Sequence, residues 1–572
     1  MDTPNSPAAP FTLTSQRIGA LPVINHVAAR MQLPAVLRHR LPCTDVRVVT
    51  PPATLAQLVI TNLVAGHQPL YALAGWARAH VPALLHLSEI QAIALTDDRA
   101  GRMLGQLFHA DRTSLLTELM VTVIREFGID VSQLRNDSAS ISVHGDYIGA
   151  AGGKVAGTPT PAITYGHSKD RRPDLKQLAY ILTVAADGAV PVLYRLADGN
   201  TCDDPAHVPT WDDLVALTGR TDFVYVADCK LASEEAMRCI DRHDGLFVTV
   251  LPRSRKEDAQ FRTWATGNDP GFTEIIRRPG KRLGDPDQVI SAVRAPWPSA
   301  GGFPIVWVHD SARQHRDAAT RHRRIAKATT AIGGLNDRLA GPRCRIKEES
   351  AVHQAAAAAI AGCCAERWVS CDVAEQTAGH FKQARAGRPG PATSYNKVTA
   401  RHWKVTITID DQQIRGDAAT GGCYPLITNG RQFTDLYVVE AYHGQPHLER
   451  RHHILKGVQD AAPVCVSNID RIDAVFCCHF IAQVIGALIE RQIRNAMAAA
   501  DIAKIPIYPE LRGCAAPSAD KVLQIFAGVT RHELHDQHGN LVQTFEPQLT
   551  ALQRQVLELL EVPGTAFTAT AG

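Results

Sequence analysis

The region between residues 129 and 252 constrains the fold most, because its elements follow a defined order. VSQLRNDSASISVHGDY (131–147) alternates as a strand does, and QLAYILTVAADGAVPVLYRLADG (177–199) predicts a hairpin that turns at Asp187-Gly188. Helix, strand, helix and strand patterns follow in HVPTWDDLVALTG, DFVYVAD, LASEEAMRCIDRH and GLFVTVLP. A meander continued by alternating helices and strands predicts an α/β fold with a mixed sheet.

Different patterns flank this region. Residues 16–128 carry apolar side chains at spacings of three and four, which predicts helices. Beyond residue 252, strand patterns mix with an Arg-rich helix and an Ala-rich segment, until CYPLITN (423–429) resumes the strand character. We therefore expect five parts: an N-terminal helical domain at 1–128, the first half of a core at 129–252, an insertion at 253–420, the second half of the core at 421–505, and a C-terminal extension at 506–572.

Charge and cysteine content narrow the class of protein. The net charge is +3, from 60 basic and 57 acidic side chains, so any surface for nucleic acid must come from local patches. The 13 cysteines are scattered without a CxxC pair, which favours a reduced cytoplasmic protein over a disulfide framework or a zinc site.

The N-terminus lacks the pattern of a signal peptide. The apolar segment from Ala474 to Ile489 contains His479 and Gln483 and predicts a core helix too short and too polar to span a bilayer.

Three acids occupy positions where strands or helices would present them. Asp137 lies in the first predicted strand, Asp228 ends the strand FVYVAD, and Glu449 opens a predicted helix. Carboxylates are preferred ligands of Mg²⁺, and two such ions can activate the attacking oxygen and stabilise the leaving oxygen of phosphoryl transfer. Any one acid alone is more typical of an ordinary residue without a catalytic role, so the surrounding pattern has to decide.

The segment Tyr442-His-Gly-Gln-Pro-His-Leu-Glu449-Arg-Arg-His-His-Ile-Leu-Lys456-Gly457 provides that pattern. On a regular α-helix, Glu449 and Lys456 would lie within about 20° of each other. The apolar side chains would cluster on the opposite side and pack inward; they are Leu448, Ile454, Leu455 and Val458. The periodicity alone is also that of an ordinary amphipathic helix with a solvated face.

The spacing Tyr-x2-Gln-x3-Glu-x6-Lys resembles the Tyr-Arg-Glu-Lys signature of the cut-and-paste branch of DDE-type insertion-sequence transposases. Further segments resemble one sub-branch more closely: YGHSKDRRPDLKQL (165–178), VADCKLASEEAM (226–237), CYPLITN (423–429), YHGQPHLERRHHILKG (442–457) and IYPELRGCAAPSADKVLQIF (507–526). The resemblance extends from about residue 16 to residue 561.

This resemblance implies an RNase H-like core, split by an insertion before the glutamate, with a catalytic and metal-binding triad of Asp137, Asp228 and Glu449. Asp146 is a rival for the first aspartate, at the end of the strand. The resemblance also implies two Mg²⁺ ions, with Mn²⁺ as an alternative, and DNA contacts from Tyr442, Gln445, Arg450 and Lys456. The expected partner is double-stranded DNA, both element ends and target, bound by a homodimer or larger assembly without a membrane. The expected location is the cytoplasm, at the nucleoid.

The sequence departs from the family pattern at several positions. Gln445 stands where the family often has arginine, which leaves Arg450 or Arg451 as substitutes for a phosphate contact. His453 replaces an expected aromatic residue, and Gly421 replaces an expected acid. An alternative therefore stays open, in which the chain is a DNA-binding protein derived from a transposase that has lost catalysis.

Four other segments carry weaker signals. GAAGGKV (149–155) fails the spacing of a phosphate-binding loop, and HELHDQHGN (532–540) fails that of HExxH and predicts a hairpin turn instead. RQHRDAATRHRRIAK (313–327) is either a solvated helix face or a contact to the DNA backbone. RAGRPG (385–390) is either a plain loop or a flexible contact to the DNA backbone.

The helical N-terminal domain could hold a helix that recognises DNA ends, or serve in packing or dimerisation.

Overall fold

A computed structural model describes residues 11–145, 147, 150–155, 157–201, 204–280, 282, 284–341, 344–461 and 468–568. Within these ranges the chain is a mixed α/β protein. Its contacts divide it into two compact units, unit 1 comprising residues 1–249 and 440–572 and unit 2 comprising residues 250–439. The rival acid Asp146 lies outside the described residues. The boundaries of the five expected parts and the RNase H-like division of the core stay predictions.

The strands and helices are numbered here in chain order. The strands are β1 Phe11–Arg17, β2 Gln133–Val143, β3 Ala151–Val155, β4 Thr158–Ala162, β5 Lys176–Ala185, β6 Pro191–Asp198, β7 Val224–Ala227, β8 Leu246–Val250, β9 Thr273–Arg278, β10 Gln288–Arg294, β11 Ile305–Asp310, β12 Val369–Gln383, β13 Tyr395–Ile409, β14 Cys423–Thr428, β15 Thr530–Asp536 and β16 Leu541–Phe545. The helices are α1 Leu21–Arg30, α2 Leu33–Arg40, α3 Pro52–Ala65, α4 Leu73–Arg78, α5 Glu89–Ile93, α6 Asp97–His109, α7 Arg112–Glu126, α8 His207–Thr218, α9 Glu234–Arg242, α10 Lys256–Ala265, α11 Ser311–Ala340, α12 Glu349–Ala361, α13 Asp411–Ala419, α14 Asp435–His443, α15 Gln445–His453, α16 Ile469–Ala499, α17 Ala519–Gln524 and α18 Ala551–Leu559.

The central sheet strands of unit 1 run in the order β6-β5-β2-β7-β8. β2 is antiparallel to β5 and parallel to β7, and β7 is parallel to β8, which is the mixed arrangement that the sequence predicts. The β5–β6 hairpin turns at Asp187-Gly188, and Gly188 has a φ of 69°, a backbone conformation that glycine adopts without steric cost. α8 and α9 connect the strands as expected.

The long helix α16 forms much of the interior of unit 1. It is 31 residues long and contacts α3, α6 and β6. By length and composition it could cross a membrane, but 94% of its most apolar window is buried inside the protein. The prediction of a buried core helix is therefore confirmed, whereas the prediction that it is too short and too polar to span a bilayer is wrong.

Two smaller sheets of unit 1 were not foreseen as pairings. β1 pairs antiparallel with β15, with Phe11 opposite Asp536, and β15 pairs with β16 through the turn predicted in HELHDQHGN. β3 pairs with β4, so the described part of GAAGGKV is a hairpin strand. Residues 21–126 form the seven helices α1–α7, in agreement with their apolar spacing.

Unit 2 contains the antiparallel strands β14-β11-β10-β9 and a separate two-stranded ribbon, β12–β13. The Arg-rich segment forms part of α11, a helix of 30 residues. The apolar faces of α11 and α12 form a core with the base of the ribbon; its buried members include Ile332, Leu335, Val352, Trp368, Val369 and Val405. RAGRPG lies in the loop between the two ribbon strands, as predicted.

Candidate functional site

Two of the three predicted acids lie side by side, Asp137 within β2 and Asp228 directly after the adjacent parallel strand β7. In the register of β2 and β7, Arg135 pairs with Val226. Two residues further along each strand, Asp137 and Asp228 therefore occupy the same level of the sheet, where neighbouring strands are about 4.8 Å apart. The Asp228 carbonyl accepts a hydrogen bond from the Thr249 hydroxyl at 2.5 Å, which fixes this strand end against β8.

The electrostatic environment of Asp228 reflects this proximity. Burial raises the pKa of Asp228 above its ordinary value, and the negative charge of Asp137 raises it further. The backbone N–H of Lys230 donates to Asp228 Oδ1 at 3.0 Å and opposes the rise, as do His207 and Lys169. Two carboxylates that disfavour each other's charge form a site whose free energy a cation would lower. The donor set of these two residues fits a hard divalent ion.

The segment that follows β4 places a lysine against the two aspartates. Lys169 Nζ lies 3.5 Å from Asp137 Oδ1, and it donates to the Ser138 carbonyl at 2.8 Å and to the Ser138 hydroxyl at 2.6 Å. The backbone N–H of Lys169 donates to Ser140 Oγ at 3.1 Å. The next residue, Asp170, accepts from Lys456 Nζ at 2.7 and 2.8 Å. Two ion pairs thus tie this segment to β2 and to the chain beyond α15.

α15 packs on β2 through a close approach at Gly444. A Cβ atom at Gly444 would lie 2.0 Å from the Arg135 guanidinium carbon, so a larger residue there would require the Arg135 side chain to move. The helix buries Leu448, Arg451 and His452. Burial lowers the pKa of His452 to about 3, and the Asp137 carbonyl opposes this shift, so the imidazole beside Asp137 is neutral at neutral pH. Neither ring nitrogen of His452 has a partner of full hydrogen-bond geometry among the described residues.

The third predicted acid is oriented differently. Glu449 is exposed on α15, while its neighbours Leu448, Arg451 and His452 face the interior. Over the ranges that the structure describes, no group of three or more His, Cys, Asp or Glu side chains is arranged to hold a metal ion. The structure therefore brings Asp137 and Asp228 together and does not bring Glu449 into a ligand group with them.

A π-helical turn explains why the helical projection from the sequence is inaccurate here. Residues Ile454–Val458 form this wider turn directly after α15. Each π-helical turn takes in an additional residue, so the regular 100° step no longer relates Glu449 to Lys456. Leu448 and Leu455 are fully buried as predicted, but Ile454 and Val458 are only half-buried.

The predicted DNA-contacting residues differ in their surroundings. The Arg450 side chain is 46% exposed, whereas that of Lys456 is 23% exposed and paired with Asp170. Tyr442 is half-buried. Both amide atoms of Gln445 are buried without a hydrogen-bond partner among the described residues, so the amide faces the protein interior. The structure leaves the DNA-binding roles of these four residues as predictions.

Arg451 is unsuited to the phosphate contact considered for it. Its side chain is 4% exposed, and its Nη1 lies 3.0 Å from Glu490 Oε2. It also donates to the backbone carbonyls of Ala189 and Gly188 at 2.9 and 3.0 Å. Arg451 is thus a structural residue that fastens α15 to the β5–β6 turn and to α16.

Sequence reasoning missed Lys169, Asp170 and His452 as neighbours of the candidate site. Lys169 and Asp170 lie in YGHSKDRRPDLKQL, a segment that carries the family resemblance without an assigned role. The concentration of charged residues in that segment was the available signal. His452 gave none, because a histidine on the helix could equally have faced solvent.

Comparisons with known proteins find similarities over parts of the chain. Residues 13–121 match a family described as "Domain of unknown function (DUF4277)". Among solved structures, the chain is similar to a piggyBac transposase in a synaptic complex with hairpin DNA, with a TM-score of 0.23 and 8% sequence identity. That similarity covers 50% of this chain and 61% of the other. No curated protein matches the sequence.

Proposed function

We propose that this protein is a transposase that cleaves DNA at the ends of an insertion sequence and joins the freed ends to target DNA. One observation carries the proposal: Asp137 in β2 and Asp228 at the end of the adjacent parallel strand β7 lie side by side, in a chain that resembles DDE-type transposases from about residue 16 to residue 561. The RNase H-like core and the Tyr-Arg-Glu-Lys branch belong to the same proposal.

Asp137 and Asp228 would hold Mg²⁺ or Mn²⁺, with Glu449 as the proposed third ligand. Two bound ions would supply positive charge at the attacking and leaving oxygens of a phosphodiester. Lys169, beside Asp137, would orient a non-bridging phosphate oxygen, since its ammonium group is already directed at this part of β2. The buried His452, being neutral, adds no charge to the pair. Glu449 would have to approach the aspartates to complete the triad.

A cleavage assay tests the proposal directly. The substrate is a plasmid that carries the DNA flanking the gene on both sides, which should contain the ends of the element. We expect strand cleavage at defined positions with Mg²⁺ or Mn²⁺ and none after chelation, because the two aspartates alone do not activate water. Cleavage that persists in excess chelator would contradict the metal-dependent mechanism.

The alternative is a DNA-binding protein without catalysis, and the exposed position of Glu449 favours it. Under that alternative, the protein would still bind the end DNA, so binding alone does not distinguish the two functions. It would leave the DNA intact with either metal ion, so the same assay separates the two functions.

Lys456 offers a second test, because its ion pair with Asp170 gives a matched control. If Lys456 contacts a phosphate, Lys456→Ala should lower the slope of log affinity against log salt concentration by about 0.9. Lys456→Arg should preserve the slope, and Asp170→Asn should do so as well, since it removes only the partner. The stability of each variant should change by no more than about 1 kcal/mol, as for exposed ion pairs. Equal slopes for wild type and Lys456→Ala would assign Lys456 to the protein surface alone.

A further inference from the structure

The β12–β13 ribbon is long and is anchored at one end. Its fifteen pairs run from Val369 opposite Ile409 to Gln383 opposite Tyr395, which spans about 50 Å. At the base, Asn336 exchanges two hydrogen bonds of 2.8 Å with the backbone of Val405. The Trp403 indole donates to the Lys347 carbonyl at 2.9 Å. These contacts with α11 and with the chain before α12 hold the base rigidly in unit 2.

The outer part of the ribbon, residues 376–402, has a different environment. Every side chain that the structure describes there is exposed or half-buried. Three large apolar side chains point into solvent, with Phe381 69%, Tyr395 49% and Val398 37% exposed. An isolated two-stranded ribbon is only marginally stable in water, so an outer part of this length is expected to gain stability from a partner.

The charged side chains of the outer ribbon are all basic. Residues 376–402 contain five lysines and arginines and no aspartate or glutamate; the five are Lys382, Arg385, Arg388, Lys397 and Arg401. The whole chain carries a net charge of only +3, so this segment alone exceeds the charge of the molecule. The nearest acid, Glu375, lies 3.8 Å from Arg401, in an ion pair whose side chains are 46% and 72% exposed. Solvent screens such a pair strongly, so it leaves the patch basic.

The register places basic and aromatic side chains on one face. Thr377 is opposite Arg401, Phe381 is opposite Lys397, and Gln383 is opposite Tyr395. Paired residues and residues two apart share a face of the ribbon, so Arg401, Lys397, Phe381 and Tyr395 all project to the same side. The Lys397 side chain extends across Gly379, where a Cβ atom would lie 3.1 Å from its Cε.

We propose that the outer ribbon is a DNA-binding arm that enters a groove of double-stranded DNA. The major groove is about 12 Å wide and admits a two-stranded ribbon. In that position, the lysines and arginines contact phosphates on both sides of the groove, while Phe381 and Tyr395 contact sugars and base edges. The inference rests on the proposed function for its partner, double-stranded DNA, and adds a contact surface in unit 2, separate in sequence from the two aspartates. A second copy of this chain is a poorer occupant, because lysines along an exposed strand oppose pairing with another strand.

The test compares three full-length variants in salt titrations of affinity for a duplex of about 40 base pairs. The neutral variant carries Lys382→Gln, Arg385→Gln, Arg388→Gln, Lys397→Gln and Arg401→Gln. The matched control exchanges lysine and arginine at the same five positions and keeps the charge. The third variant replaces residues 376–402 by Asn-Gly, a two-residue hairpin turn that joins the paired residues Glu375 and Trp403.

We expect the neutral and shortened variants to lower the salt slope by about 4.5, since each of the five phosphate contacts contributes about 0.9. The matched control should keep the wild-type slope. Slopes equal to that of the wild type in both the neutral and the shortened variants would overturn the proposal, and so would a loss of dimers in light scattering at an unchanged slope. The shortened variant provides the measurement if the neutral one does not fold.

Cleavage by the Asp228→Asn variant, compared with the salt slopes of the ribbon variants, separates this inference from the proposed function. A reduced slope in the ribbon variants, together with wild-type cleavage by Asp228→Asn, would keep the DNA-binding arm and reject the catalytic assignment. An unchanged slope, together with loss of cleavage in Asp228→Asn, would reject the arm and keep the catalytic assignment.

Discussion

Replacement of Asp228 by asparagine is expected to abolish metal-dependent cleavage of end DNA and to leave DNA binding nearly intact. Asparagine keeps the shape of the side chain and removes the negative charge that a divalent ion requires. We expect cleavage to fall by at least about a thousandfold, which corresponds to about 4 kcal/mol of activation free energy. A gel-shift assay and a cleavage assay on the same preparation measure the two properties.

The matched control is Asp222→Asn, at the opposite end of the same strand. Asp222 precedes β7, is 66% exposed and pairs with Arg220 on the surface, so its replacement should leave cleavage unchanged. Wild-type cleavage by Asp228→Asn would reject Asp228 as a metal ligand.

The stability of Asp228→Asn distinguishes a catalytic from a structural role. Because burial and Asp137 raise the pKa of Asp228 in the folded protein, its ionised form opposes folding. The stabilising contribution of the protonated form is complete below the unfolded pKa and is lost as pH rises through the folded pKa. Without metal at neutral pH, the variant should therefore be at least as stable as the wild type in thermal melts. A large loss of stability would indicate a structural role.

Arg451→Ala is expected to cause the second large effect, a loss of about 3–5 kcal/mol in the free energy of unfolding. The substitution would leave Glu490, with a side chain that is 2% exposed, without its closest partner at 3.0 Å. Arg494 lies 3.4 Å from the same carboxylate and the backbone N–H of Ala519 donates to it at 3.1 Å, so compensation would be partial. Denaturant unfolding curves give the free energy.

The adjacent residue, Arg450, provides the control. It is 46% exposed and lies 4.0 Å from Glu490, so Arg450→Ala should change stability by less than about 0.5 kcal/mol. If Arg450 contacts phosphate, this variant should weaken DNA binding at unchanged stability. Equal unfolding free energies for the two alanine variants would contradict the structural role of Arg451.

The two aspartates could be placed from the sequence because both signals are local. β2 and β7 have clear apolar patterns, and the parallel pairing of the two strands brings Asp137 level with Asp228. The position of Lys456 relative to Glu449 could not be obtained in this way. The prediction assumed a regular helix from Glu449 to Lys456, and a π-helical turn at Ile454–Val458 interrupts that regularity. The spacing of apolar residues does not indicate such a turn.

Pairings between segments far apart in the sequence could not be predicted from local patterns either. FTLTSQR alternates over only seven residues, and its partner lies near the other end of the described chain. Lys169 and His452 reach the Asp137 region from different elements, so only the folded chain brings them together. In the ribbon, by contrast, the loop at RAGRPG was predicted, but the fifteen pairs that join the strands on either side of it were not.

The pairing of β1 with β15 has a consequence for synthesis of the chain. Thr14 and Glu533 are hydrogen-bonded across 519 residues of sequence. At ordinary translation rates, the time between synthesis of β1 and synthesis of β15 is on the order of half a minute to two minutes. During that interval the side chains of Phe11 and Leu13, more than half exposed even in the finished fold, lie on a strand with two open edges. Nascent chains interrupted before residue 530 would keep those edges open, which makes them substrates for chaperones or nuclei for aggregation.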